Sequence, residues 1–232
     1  MAIKPILFNT EMVKAILDGR KTVTRRLVKF LSRKNPNWTG YVKDGLMLYN
    51  GRNEPCIRKV PYQPGDIMYV RETWQYLYEL DGNEQIIEGT GKYYYAATDT
   101  IPFDTYVDAS GVTHERVPWH PSIHMPKEAA RIWLKATDVR VERLQDITED
   151  GVWNEGFRFT PPCLTRVSAD GHTCDLDGPC TSHIKYCDMT MGELFGRELW
   201  NSTIKKSDLD CYGWDASPWV WVIEFERCEK PE

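Results

Sequence analysis

Gly19-Arg20-Lys21-Thr22-Val23-Thr24-Arg25-Arg26 marks the point where a helical pattern stops and a strand pattern starts. Upstream, Met12, Val13, Ile16 and Leu17 share one helical face over residues 9–19; Asn9 or Thr10 can cap it and Gly19 supplies the stop. Downstream, Lys21 to Phe30 reads as a strand with Thr22 and Thr24 on one side and Val23 and Arg25 on the other. The stretch also opens a basic run: seven Lys or Arg and no acid lie between Arg20 and Lys34, in a chain of 232 residues with net charge −5. A cationic run inside an acidic protein calls for an anionic partner or a chemical task.

Outward from there the chain is irregular and polar over 31–64, with Asn35-Pro36-Asn37 and Asp44-Gly45 as turn signals. Pro64-Gly65-Asp66 is a tight turn into a strand, Ile67 to Trp74, and Asp81-Gly82-Asn83 precedes another, Lys92 to Thr98. Residues 99–128 read mostly as loop. Arg131 to Leu144 alternates as a strand. Thr148 caps a short helix running to about Glu155, with Ile147 and Val152 as a hydrophobic staple and Gly156 as its end. Residues 158–187 are poor in apolar side chains. Thr190-Met191-Gly192-Glu193 is a capping box, and Pro218 to Cys228 is the last strand. Strands separated by single helices and long loops predict an α+β fold, one small mixed barrel or curved sheet carrying insertions at 31–64, 75–117 and 158–187.

Hydrophobic residues make up 41% of the chain, enough for a core, and the nine Trp and twelve Tyr are enough to line a pocket for flat ligands as well. The net charge of −5 argues against nonspecific nucleic-acid binding by the whole surface, though not against a local basic groove. No apolar run approaches the roughly 20 residues that span a bilayer, and no N-terminal stretch reads as a signal peptide. A cytoplasmic protein is therefore expected, with no membrane partner. Seven Cys, an odd number without secretory context, predict no disulfide framework.

Four groups could carry chemistry. Lys21 and Thr24 are three apart; a desolvated Lys crowded by Arg20, Arg25 and Arg26 could take the proton of a Thr hydroxyl, or the run could be a solvated strand end. Glu155 sits beside Trp153, where a carboxyl against a ring would work as acid or base; as a Glu before a terminal Gly it could equally lie on the surface. Arg71, Glu72 and Trp74 interrupt an apolar strand: Glu72 either pairs with an Arg of the basic run or lines a cleft in which Trp74 stacks on a ligand. Cys163, Cys174, Cys180 and Cys187 fall within 25 residues. Four thiolates could hold a structural zinc that pins the 158–187 loop, or the loop carries reduced thiols. His114, His120 and His124 lack the spacing of a metal site.

On these residues the chain resembles the ASCH superfamily of PUA-like domains. Lys4-Pro5-Ile6-Leu7-Phe8, the helix, and Gly19 to Arg26 look like its first motif; Pro64 to Trp74 resembles its Gly-Asp strand, and Pro218 to Phe225 its closing strand. Pro121 to Pro126 and Tyr212-Gly213-Trp214-Asp215 resemble segments of its larger phage- and prophage-associated members. The resemblance implies a single ASCH domain built as a PUA-like mixed β-barrel with flanking helices. One branch, the small bacterial YqfB-type enzymes, hydrolyses N4-acetylcytidine and related N4-acylated cytosines with a Lys, a Thr and a Glu. Its motif matches Lys21, Thr24 and Glu155, with Arg26 two residues after the Thr. Arg25 departs from that branch, which carries an apolar residue there, and this chain is more than twice as long. The resemblance thus implies an amidohydrolase acting on a cytosine nucleoside, needing no catalytic cofactor, with Arg26 binding the substrate; from their place in the apolar strand, Arg71, Glu72 and Trp74 are expected to bind it too. The alternative is an RNA- or modified-base-binding module, or a ribonuclease, using the same basic cleft.

Overall fold

The structure, a computed structural model, describes residues 1–31, 38, 40–43, 46–57, 59–79, 81–83, 85–102, 106–107, 112–114, 118–158 and 189–231. In chain order the elements are β1 (Ile3–Leu7), α1 (Thr10–Leu17), β2 (Val23–Leu27), β3 (Tyr41–Lys43), β4 (Met47–Tyr49), β5 (Ile67–Arg71), β6 (Trp74–Leu77), β7 (Lys92–Tyr95), β8 (Tyr106–Val107) and β9 (Thr113–His114). There follow β10 (Trp133–Arg143), α2 (Glu149–Asn154), α3 (Met191–Leu194), α4 (Leu209–Tyr212) and β11 (Trp219–Cys228). The α+β content agrees with the sequence. The chain forms two compact units, each assembled from separated segments.

The first unit comprises Met1–Gly19, Pro64–Thr137 and Phe225–Glu232. Here β1 runs parallel to β5, with Ile3 opposite Ile67 and Leu7 opposite Arg71, and β5 pairs antiparallel with the start of β10. Parallel strands cannot be joined by a tight turn, so their register needs another anchor. Asp66 supplies it: its buried carboxylate accepts from Ala2 N at 2.9 Å and from Lys4 Nζ at 2.6 Å. Gly65 takes the left-handed φ of 85° that the turn before it requires. Helix α1 starts as expected, Asn9 accepting from Met12 N, with Val13 and Ile16 buried.

The sequence predicts one strand from Ile67 to Trp74, whereas the structure breaks it after Arg71. The cause is Glu72. Its buried carboxylate takes both arms of Arg131 at 2.9 Å, and its backbone N–H donates to Met125 Sδ instead of to a strand carbonyl. The chain re-enters a strand at Trp74, which exchanges backbone hydrogen bonds with His120. β6 and β7 then pair as a hairpin inside the region expected as an insertion, with Tyr76 and Tyr93 in ring contact at 4.6 Å.

The second unit comprises Arg20–Gln63 and Asp138–Glu224. β2 pairs antiparallel with β11, Leu27 opposite Val220 and Val23 opposite Glu224, and β11 neighbours β10. The strand expected from Lys21 to Phe30 is thus shorter at both ends. Residues 31–64, expected to be irregular, hold the β3–β4 hairpin and a buried Trp38. Trp38 Nε1 donates to Tyr49 O at 2.9 Å, and Trp219 Nε1 donates to Trp38 O at 3.1 Å. These indole anchors hold a polar segment that has little apolar area of its own. Asn35-Pro36-Asn37 and Asp44-Gly45 lie outside the described residues.

The core of this unit gathers Val23, Leu144, Ile147, Val152, Phe195, Trp200, Trp214, Val220 and Val222. The predicted staple, Ile147 and Val152, is part of it, and Thr148 accepts from Gly151 N at the start of α2. The Thr190–Glu193 capping box is complete, and α3 continues as a π-helical turn over Phe195–Trp200. That turn presses Gly196 onto the Trp214 ring: a Cβ there would lie 2.0 Å from Cδ2. Among the described residues no helix is long and apolar enough to cross a membrane. Gly196→Ala is expected to destabilise the protein by about 1–3 kcal/mol through overpacking, read as a lowered urea midpoint with an unchanged m-value; an unchanged midpoint would contradict this packing.

Candidate active site

The residues that meet in the second unit do so because the start of β2 is tied to the end of α2. Thr22 N donates to Asn154 O at 2.8 Å, Arg20 Nη1 donates to Gly156 O at 3.1 Å, and Lys21 forms an isolated antiparallel bridge with Glu155. Gly156, at φ 78°, turns the chain away after the helix. Glu155 is left facing β2.

At this junction the charges are almost dry. Lys21 and Thr24 are each 2% exposed, Arg25 6% and Glu155 4%. Lys21 Nζ donates to Glu155 Oε2 at 2.5 Å, to Val23 O at 2.8 Å and to Glu155 O at 2.9 Å. The other carboxylate oxygen, Glu155 Oε1, accepts from Arg25 Nη1 at 3.2 Å. Arg25 continues to Glu142, with Nη2 3.6 Å from Oε2. Glu142 in turn takes Arg140 Nε at 2.5 Å, and Arg140 also binds Asp138 and Glu224. Charges of alternating sign therefore run from the buried Lys21 to a half-exposed Arg140.

Burial lowers the pKa of Lys21 below the ordinary lysine value; the charge and hydrogen bond of Glu155 oppose this, while Arg26 and Arg25 add to it. Arg26 is lowered by burial too, against the raising influence of Glu155 and Tyr62. A lysine in this setting is closer to its neutral, proton-accepting form than a surface lysine.

Of the residues singled out in the sequence, Lys21, Thr24, Arg26 and Glu155 all belong to this unit. On β2, Thr24 and Arg26 share the face opposite Val23 and Arg25, and their cross-strand partners are Ile223 and Trp221. Arg26 and Trp221 help line a groove of about 640 Å³ with Lys29, Phe30, Lys59 and Tyr62.

Other expectations are redrawn. Glu155 was expected against the Trp153 ring, but its carboxylate is held by Lys21 and Arg25, and the Trp153 ring carries the Arg158 guanidinium at 4.6 Å. Glu72 pairs with Arg131 and not with an Arg of the basic run. Arg71 donates to Met125 O, and Trp74 contacts His120 and Tyr93; all three belong to the first unit. Cys163, Cys174, Cys180 and Cys187 lie outside the described residues. Among the described residues no cluster of three His, Cys, Asp or Glu could hold a metal.

The sequence reading missed Arg25 as a second partner of Glu155, the continuation through Glu142, and the part that Lys59, Tyr62 and Trp221 take in lining a basic groove. The signal for Arg25 was present: alternation put it on the same face as Val23, where a charge needs a buried partner.

No protein-family model matches the sequence, and no curated protein matches it significantly. Among solved structures, the ASCH domain from Lactobacillus crispatus JV V101 aligns over 97% of this chain and 79% of that one, at 11% identity and a TM-score of 0.34. A score that low does not establish a shared fold.

Removing one member of a buried ion pair costs about 3–5 kcal/mol, because the other is left without a countercharge. Glu155→Ala leaves Lys21 without its carboxylate and Arg25 with Glu142 alone, whereas Lys21→Met leaves Glu155 with Arg25. Urea unfolding at neutral pH should therefore rank Glu155→Ala as the more destabilising, by at least about 1 kcal/mol. The reverse order would show that Arg25 does not share the carboxylate.

Proposed function

We propose that the protein is an amidohydrolase that removes the acyl group from the exocyclic nitrogen of N4-acetylcytidine or a related N4-acylated cytosine, on a PUA-like ASCH frame. The observation that carries the reading is the dry contact of Lys21 Nζ with Glu155 Oε2 at 2.5 Å, three residues before a buried Thr24. A buried amine and carboxylate in contact can pass a proton between them. A threonine hydroxyl needs such a base to become a nucleophile.

In this mechanism the lone pair of neutral Lys21 Nζ accepts the proton that Thr24 Oγ1 donates. Thr24 Oγ1 bonds to the acyl carbonyl carbon. Arg26 or a backbone N–H stabilises the oxyanion. The proton moves through Glu155 to the leaving nitrogen, the C–N bond breaks, and the free amino-cytosine departs. Water, deprotonated by the same pair, cleaves the Thr24 ester, releasing the carboxylic acid and restoring the hydroxyl. No metal takes part in these steps. Arg25 keeps Glu155 oriented while Lys21 takes the proton.

With N4-acetylcytidine, the wild type should release cytidine, and Lys21→Ala or Thr24→Ala should lower kcat by about 10²–10⁴-fold. Absence of turnover by the wild type, or undiminished turnover by Lys21→Ala, would sink the reading. The pH profile adds a sign. The base must be unprotonated, so kcat/KM should rise with pH on a limb centred below the ordinary lysine range, because burial lowers Lys21. A profile that falls across that range would assign the base elsewhere.

A further inference from the structure

The groove beside Arg26 has a composition that a neutral nucleoside does not explain. Arg26, Lys29 and Lys59 line it, with the rings of Phe30, Tyr62 and Trp221, and among the described lining residues there is no carboxylate. The chain as a whole is at −5, so this cationic lining is local and not a reflection of composition. An N4-acylcytidine carries no charge and brings nothing to balance it.

The placement of the cations is graded. Arg26 is half-buried, on the same face of β2 as Thr24 and about 7 Å along the strand from it. Lys29 and Lys59, which also line the groove, are exposed. Of the rings, Phe30 and Tyr62 are partly exposed and offer stacking surface for a base, while Trp221 is buried. The volume of about 640 Å³ is that of a small-molecule site.

We infer that the ligand of this groove is a phosphorylated cytosine, a mononucleotide whose base lies toward Thr24 and whose phosphate is held by Lys29 and Lys59. The cytosine half of this assignment rests on the amidohydrolase reading; the phosphate half rests on the groove. The phosphate supplies the negative charge and the acceptor oxygens that two ammonium groups can bind as charge-assisted hydrogen bonds. Lysine serves here as a point charge, tolerant of the position of the phosphate, which suits exposed residues.

The test is calorimetric titration of the full chain with cytidine 5′-monophosphate, cytidine and a short single-stranded oligocytidylate. At low salt the monophosphate should bind about tenfold or more tighter than cytidine, and that ratio should shrink as salt is raised. In Lys29→Ala/Lys59→Ala, whose two sites are exposed and whose folding is checked by circular dichroism, the ratio should approach one. Equal affinity of the wild type for the two ligands, binding of neither, or a ratio that survives the double substitution overturns the phosphate assignment. Tighter binding of the oligocytidylate than of the monophosphate overturns it in favour of a strand. The two readings fail separately. Hydrolysis of N4-acetylcytidine with equal binding of cytidine and its monophosphate removes only the phosphate. Preferential binding of the monophosphate without hydrolysis of its N4-acetyl derivative removes only the amidohydrolase.

Discussion

One carboxylate serving two buried cations is the constraint around which the second unit is built. Lys21 and Arg25 both lean on Glu155, and none of the three reaches solvent to any useful extent. Removing such charges from water is expensive, and mutual attraction offsets it only where the geometry is close and every remaining donor finds an acceptor. The backbone answers most of that demand, although Arg25 Nε stays buried without a hydrogen-bond partner. Lys21 also binds two carbonyls, Arg20 and Thr22 fasten β2 to the last turn of α2, and Gly156 lets the chain leave without disturbing Glu155. The excess positive charge is then handed outward through Glu142 to Arg140, where water can screen it.

That arrangement sets the character of Lys21. An isolated buried lysine would lose its proton readily; one facing a lone carboxylate would hold it tightly. Lys21 lies between these limits because Glu155 is shared and because Arg25 and Arg26 oppose a further positive charge. Arg25 is thus as much a part of the electrostatics as the pair itself.

Local elements were legible in the sequence where their signals were local. The Asn9 cap, the Thr148 cap with its staple, the Thr190 capping box and the turn at Gly65 each depend on residues within a few positions of one another. The break after Arg71 was not legible, because its cause, Arg131, lies 59 residues away. The β3–β4 hairpin was hidden for a similar reason: it is held by Trp38 and Trp219, not by an apolar pattern of its own. For the candidate site, the residues were visible but their partners were not. Periodicity placed Arg25 on the face of Val23 without naming Glu155, and Trp153 drew attention to Glu155 for a contact that Arg158 makes instead.

The contact between Lys21 and Glu155 spans 134 positions of the chain. Closing so large a loop carries an entropic cost that must be met before the contact returns anything, and pairings of this kind slow folding. β2 waits longer still, since its partner β11 is the last strand. During synthesis Lys21 and Arg25 therefore have no Glu155 to pair with until the chain has been made that far. The dry lysine is assembled among the last features of the fold, so a chain that stops short of Glu155 leaves it in water.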